Sequence, residues 1–179
     1  TGVDPRTAAA GVAGSPQIPG RMEAIEAGQD FLVVVDYAHT PDSIRNVLRG
    51  ARSLVDGRVL VVFGCGGDRD RSKRAAMGTA ATSEADLTVL TNDNPRSEDP
   101  AAILAAIVPG AEAGGGRFVV EPDRRAAIRL AVREAAAGDV VVVAGKGHEP
   151  YQEIGGRRLP FDDRVVAREE LAAIAAEPG

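Results

Sequence analysis

Cysteine is almost absent from this chain: Cys65 is its one thiol. A single thiol excludes an internal disulfide and suits a reducing compartment. Lysine is nearly as scarce, with Lys73 and Lys146 set against nineteen arginines. Alongside the abundant alanine, that skew reads as genomic composition. No apolar run is long enough to cross a membrane, and no signal-peptide pattern opens the chain. Neither cysteine nor histidine clusters at metal-ligand spacing. There is no Gly-x-Gly-x-x-Gly after a strand and no phosphate loop ending in Gly-Lys-Ser/Thr. An excess of positive charge is also lacking. The net charge of −5 and pI near 5.1 argue against a nucleic-acid or anionic-membrane surface.

What is present is one domain's worth of ordinary soluble sequence: 179 residues, 44% hydrophobic and 26% charged, enough to bury a core. The chain opens without methionine and reads as a piece of something longer. Residues 1–20 are rich in Gly, Ala and Pro, with a short helix over Arg6–Val12, and suit a linker or the tail of a preceding unit.

From Phe31 a repeating pattern sets in. Phe31–Asp36, Val59–Phe63, Leu87–Thr91 and Val140–Ala144 are non-alternating apolar runs, typical of strands buried on both faces. Phe118–Val120 is a shorter strand. Helices are expected from Thr40-Pro41, an N-cap with an N1 proline, to about Val55, then over Ser72–Glu84 and Pro100–Val108. Ala76, Thr79, Ala80 and Ser83 form a small-residue face on the second of these. Asp123 caps another helix, stopped by Gly138, and the last runs from Asp162 to about Ala175. A hairpin is expected around Gly155-Gly156. Alternating strands and helices predict an α/β fold with a Rossmann-like, mostly parallel sheet and helices on both faces. In such sheets ligands bind at the carboxyl ends of the strands. That rule collects four unusual loops onto one edge.

Asp36-Tyr37-Ala38-His39-Thr40-Pro41 carries an acid that can accept ribose hydroxyls, and an imidazole suited to a phosphate or a proton. For an isolated Asp-x-x-His, serving loop backbone groups is the plainer expectation for Asp36 and His39. Gly64-Cys65-Gly66-Gly67-Asp68-Arg69-Asp70-Arg71 has glycines for an anion cradle, but its acids fit a small mixed-charge ligand better than a polyphosphate. Cys65 reads as a packed thiol rather than a nucleophile. Asn92-Asp93-Asn94-Pro95-Arg96 is a stiff loop, because Pro95 fixes its own φ and restricts Asn94. Its Asp93 and Arg96 offer the opposite charges of a zwitterion's partner. Gly145-Lys146-Gly147-His148-Glu149 adds a cation, an imidazole and an acid. For Lys146 a polar surface loop is the plainer expectation.

These loops, with Gly20-Arg21-Met22-Glu23, occur in the order found in the Mur ligases, and the chain resembles the branch of that family that adds diaminopimelate. The resemblance covers about residues 18–175. It implies the family's C-terminal domain over 21–179, with 1–20 as the tail of the central domain. It further implies a cytoplasmic, ATP- and Mg2+-dependent ligase of peptidoglycan synthesis. There ATP phosphorylates the glutamate carboxylate of a UDP-MurNAc-dipeptide, and the amine of meso-diaminopimelate attacks the acyl phosphate. Carried over by position, Arg21, Asp36, Tyr37 and His39 would face ATP. Arg69, Asn94 and Arg96 would hold the distal carboxylate of diaminopimelate, with Asp93, Gly145 and Glu149 lining the same pocket. Lysine-adding relatives carry a different residue after Asn-Pro, so Arg96 favours diaminopimelate. The central domain's phosphate loop, carbamylated lysine and magnesium ligands have no counterpart, and no catalytic or metal residue is assigned here. The chain alone is expected to be inactive and to bind nucleotide poorly. A non-catalytic amino-acid or nucleotide binding module is the alternative. A Rossmann oxidoreductase is disfavoured by the missing glycine signature.

Overall fold

The computed structural model describes residues 18–176. The helix expected over Arg6–Val12 lies outside them. Four strands form the centre of a six-stranded sheet: β2 (Leu32–Asp36), β3 (Val59–Phe63), β4 (Leu87–Leu90) and β6 (Val140–Ala144), every residue of them buried. Their valine-rich, non-alternating sequences fit this position, since both faces meet helices. β5 (Phe118–Val120) closes one edge. β1 (Glu23–Ala24) closes the other, giving the order β1-β2-β6-β3-β4-β5 with only β1 antiparallel. Two residues are too few to show a period, so β1 has no signature in the sequence.

Three helices cover one face: α1 (Pro41–Arg52), α2 (Lys73–Glu84) and α3 (Pro100–Gly114). Ile44, Leu48, Met77 and Ile107 pack there against Val34, Val61 and Val142. On the opposite face α4 (Arg124–Glu134) and α5 (Asp163–Ala175) set Ile128, Val132, Val166 and Leu171 against Val33, Leu60, Val62 and Val143. The expected Rossmann-like α/β layering is what is found. β7 (Tyr151–Ile154) and β8 (Arg157–Pro160) form the separate hairpin expected around Gly155-Gly156.

Helix starts follow local chemistry. Thr40 caps α1 in a reciprocal capping box with Ser43, and Pro41 takes N1. Asp99, Asp123 and Asp162 cap α3, α4 and α5. Two expectations change. α3 runs past Val108 and through Pro109 to Gly114, and the expected small-residue face of α2 is buried at Ala80 and half-buried at Thr79, beside the buried Arg74, Met77, Gly78, Ala81 and Thr82, whereas Ala76 and Ser83 are exposed. One contact explains both. A Cβ on Gly110 would lie 1.7 Å from the Ala75 carbonyl oxygen, so the helices cross almost backbone to backbone. Thr79 and Thr82 then donate to the carbonyls of Gly110 (2.9 Å) and Ala111 (3.0 Å), holding the extension of α3 beyond its proline.

Candidate functional site

The loops leaving β2, β3, β4 and β6 meet at the carboxyl edge of the sheet around a cavity of about 220 Å³. Its walls include Tyr37, His39, Arg69, Asp93, Asn94, Arg96, Gly145 and Glu149, with Gly64, Cys65, Gly66, Lys73 and Met77 completing them. Eight of the ten residues singled out in the sequence are thus brought together. Arg21 and Asp36 are not among the lining residues. Arg21 stacks on the Tyr37 ring with 5.0 Å from guanidinium carbon to centroid. The buried Asp36 carboxylate accepts the backbone N–H groups of Met22 and Ala38, each at 2.8 Å, and so fastens the Gly20–Glu23 turn to the end of β2. Tyr37 also lies edge-on to His39 at 4.7 Å and faces His148 at 6.2 Å, a cationic and aromatic rim beside the cavity.

The Asp93–Arg96 loop is held from three sides. Gly67 N–H donates to the Asn94 carbonyl at 2.9 Å, and a Cβ on Gly67 would sit 1.9 Å from the Pro95 carbonyl oxygen. The glycine loop after β3 therefore lies flat against the Asn-Pro-Arg backbone. Arg96 has φ of +54°, a left-handed conformation that costs a non-glycine residue about 1–3 kcal/mol. The β7–β8 hairpin offsets this cost: Arg96 N–H donates to the Glu153 carbonyl at 2.8 Å, and Gly155 N–H to the Arg96 carbonyl at 2.7 Å. The guanidinium then reaches back across the loop and donates through Nη1 to the Gly67 carbonyl at 2.7 Å. Arg69 is exposed at the rim and donates to the Asp68 carbonyl at 3.1 Å.

Charges beneath this surface are buried. Lys146 is fully buried, correcting the expectation of a solvated loop cation. Its Nζ donates to Asn94 Oδ1 at 3.3 Å and to the Tyr151 carbonyl, and lies 3.7 Å from Glu149 Oε2. Burial pulls its ammonium pKa down, with Asp93 acting in the opposite sense. Asp93 is buried too, and burial raises its carboxyl pKa while Arg124 and Lys146 oppose the shift. Arg124 and Asp163, missed in the sequence, form an ion pair below the loops. Arg124 also donates to the carbonyls of Asn92 (3.3 Å) and Ala144 (3.0 Å). Neither residue stood out, because an arginine opening one helix and an aspartate opening another look like ordinary surface charges. Cys65 is packed 3.6 Å from Met77 Sδ, and burial, aided by Asp93, pushes its thiol up to about 12. It is the packed thiol expected.

Among the described residues no group of three acidic, histidine or cysteine side chains converges as a metal would require, and no helix is long and apolar enough to cross a membrane. The site combines two arginines, two acids and a carboxamide in one small, polar cavity. Guanidinium groups bind carboxylates through charge-assisted hydrogen bonds, and acids receive ammonium groups. An amino acid meets both demands.

The family model for the Mur ligase glutamate ligase domain matches residues 20–147. The UDP-N-acetylmuramoyl-L-alanyl-D-glutamate–2,6-diaminopimelate ligase of Solibacter usitatus is 54% identical over 170 residues, 95% of this chain and 34% of the relative. The ligase of the same name from Streptomyces avermitilis is 52% identical over 174 residues, 95% of this chain and 34% of its own. A solved structure bearing that ligase's name superposes with a TM-score of 0.83 at 48% identity, covering 89% of this chain and 33% of the other. The chain thus spans about a third of the length of the relatives it matches. With its sheet, its strand-end loops and its matched segment in agreement, the chain belongs to the Mur ligase family, as the glutamate ligase domain found at the C-terminal end of those enzymes.

Proposed function

We propose that this domain supplies the amino-acid pocket, and one wall of the nucleotide site, of a ligase that joins meso-diaminopimelate to UDP-MurNAc-L-Ala-D-Glu at the expense of ATP. The observation that carries this reading is the sharing of one cavity by Arg69 and Arg96 with Asp93, Asn94 and Glu149. Diaminopimelate is lysine with one further carboxylate. The arginines and Asn94 receive that distal carboxylate, and Glu149, with the Gly145 carbonyl and Asp93, receives its ammonium group. Lysine would leave a partly buried guanidinium without its partner, a penalty that separates close analogues by orders of magnitude.

Arg21, Tyr37 and His39 form the rim toward ATP, with Arg21 suited to the phosphates. Asp36 has one backbone donor on each carboxylate oxygen and retains lone pairs for ribose hydroxyls. Among the described residues no side chains converge as a donor set for Mg2+. The reaction transfers the terminal phosphoryl group of ATP to the glutamate carboxylate, and the amine displaces phosphate to form the amide. This chain's part is to hold the amine substrate in line and to discriminate against lysine. The domain runs from residue 21, residues 1–20 belong with a preceding domain, and the setting is cytoplasmic.

The test joins this chain to the N-terminal two-thirds of the Solibacter usitatus ligase. Amide formation and ADP release with diaminopimelate, and little of either with lysine, are expected. Equal turnover of the two amines, or ADP release with no amide formed from either, contradicts the reading.

A further inference from the structure

Lys146 has no place in the pocket's lining, yet it touches two residues that do. Its buried Nζ donates to Asn94 Oδ1 at 3.3 Å and lies 3.7 Å from Glu149 Oε2. A second donor, the Glu153 backbone N–H, reaches the same Asn94 oxygen at 2.9 Å. Both are groups that only donate, so the oxygen end of the Asn94 carboxamide is fixed toward them. The nitrogen end is then fixed toward Glu149, and Nδ2 donates to Glu149 Oε2 at 2.8 Å. Turned over, the amide would set N–H against ammonium and N–H, and oxygen against carboxylate. Both ends would be lost together.

We infer that Lys146 is a positioning residue for amino-acid recognition, acting through Asn94 and Glu149. One ammonium group orients the carboxamide and, through it and its own attraction, holds the carboxylate. Among the described residues Asn94 Nδ2 donates only to Glu149, which leaves its other hydrogen for a ligand oxygen. Glu149 Oε1 accepts no hydrogen bond from a described residue and is left for a ligand cation. The tether to the Tyr151 carbonyl ties this arrangement to the hairpin that clamps Arg96. A single buried cation thereby couples the carboxylate-binding and ammonium-binding ends of the pocket.

The role in catalysis rests on the proposed ligase function, whereas the positioning itself does not, so the experiment has two arms. In the 15N-labelled chain, the Lys146 ammonium protons at low temperature should exchange slowly and show cross-peaks to the Asn94 and Tyr151 environments. Lys146→Met should shift the Asn94 side-chain amide and speed its exchange at least about tenfold, while amides of β3 and α2 keep their shifts. If that variant does not fold, Lys146→Gln and the direct ammonium signals still decide. A freely exchanging Lys146, or an Asn94 amide indifferent to its removal, overturns the inference.

In the joined ligase, Lys146→Met should raise KM for diaminopimelate by about 10–100-fold and leave KM for ATP within about twofold. A fall in kcat alone, with both KM values unchanged, would mean a scaffold role only and would overturn it. If the unsubstituted joined enzyme rejects diaminopimelate, the proposed function fails while the spectroscopic arm still reports on Lys146.

Discussion

Arg124 Nη2 and Asp163 Oδ2 meet at 2.7 Å with both side chains wholly buried, each at the first residue of its helix. A cation at a helix N-terminus opposes the helix dipole. Here the guanidinium is satisfied by the carboxylate and by the carbonyls of Asn92, in the loop after β4, and Ala144, at the end of β6, and Asp163 keeps it charged against the cost of burial. The pair therefore anchors the two loops that supply Asp93–Arg96 and Gly145–Glu149.

Removing one partner leaves a buried charge uncompensated. Asp163→Ala is expected to lower the unfolding free energy by about 3–5 kcal/mol in urea titration. Replacing both residues together, with Arg124→Met and Asp163→Leu, should cost much less. Equal losses in the single and double variants would show that packing, not charge, governs the site.

Gly145 occupies φ of +116°, and a Cβ there would lie 2.6 Å from Asp93 Oδ2. Gly145→Ala should therefore combine backbone strain of about 1–3 kcal/mol with displacement of the Asp93 carboxylate. Thermal melting should drop by several degrees, and diaminopimelate affinity in the joined ligase should fall with it. A variant that melts and binds like the parent would mean that the loop relaxes freely.

For Cys65 the sign of the pH effect is fixed by burial. Its folded-state pKa, about 12, stands above the ordinary 9.0, so the neutral thiol is the folded form. Its contribution is complete below pH 9 and is lost as the unfolded thiol ionises and pH rises toward 12, at up to about 1.4 kcal/mol per pH unit. Cys65→Ala should flatten the stability profile across that alkaline window. Iodoacetamide at pH 8 should leave the native thiol unmodified and label it readily in urea.

Much of this fold is legible in the sequence because the strands are uniform. Val33–Val35 and Val140–Val143 have no polar face to offer solvent, so burial on both sides, and hence a parallel sheet, follows. The strand-end rule then gathers the loops. What escapes is whatever depends on partners remote in sequence. Lys146 reads as a surface cation until Asn94 and the Tyr151 carbonyl are seen beside it. Arg96 looks fixed by Pro95 alone, whereas hydrogen bonds to Glu153 and Gly155 hold its left-handed backbone. Gly110 appears to follow a helix end, until its contact with Ala75 shows why the helix continues.

Under the proposed function, Arg96 reads the carboxylate that distinguishes diaminopimelate from lysine. Steady-state turnover of both amines by the joined ligase, before and after Arg96→Ala, tests it most directly. A charge-assisted hydrogen bond is worth about 1.5–3 kcal/mol, so kcat/KM for diaminopimelate should fall about 10–150-fold while that for lysine holds or rises. An Arg96→Ala enzyme with the parent's preference for diaminopimelate would contradict that role.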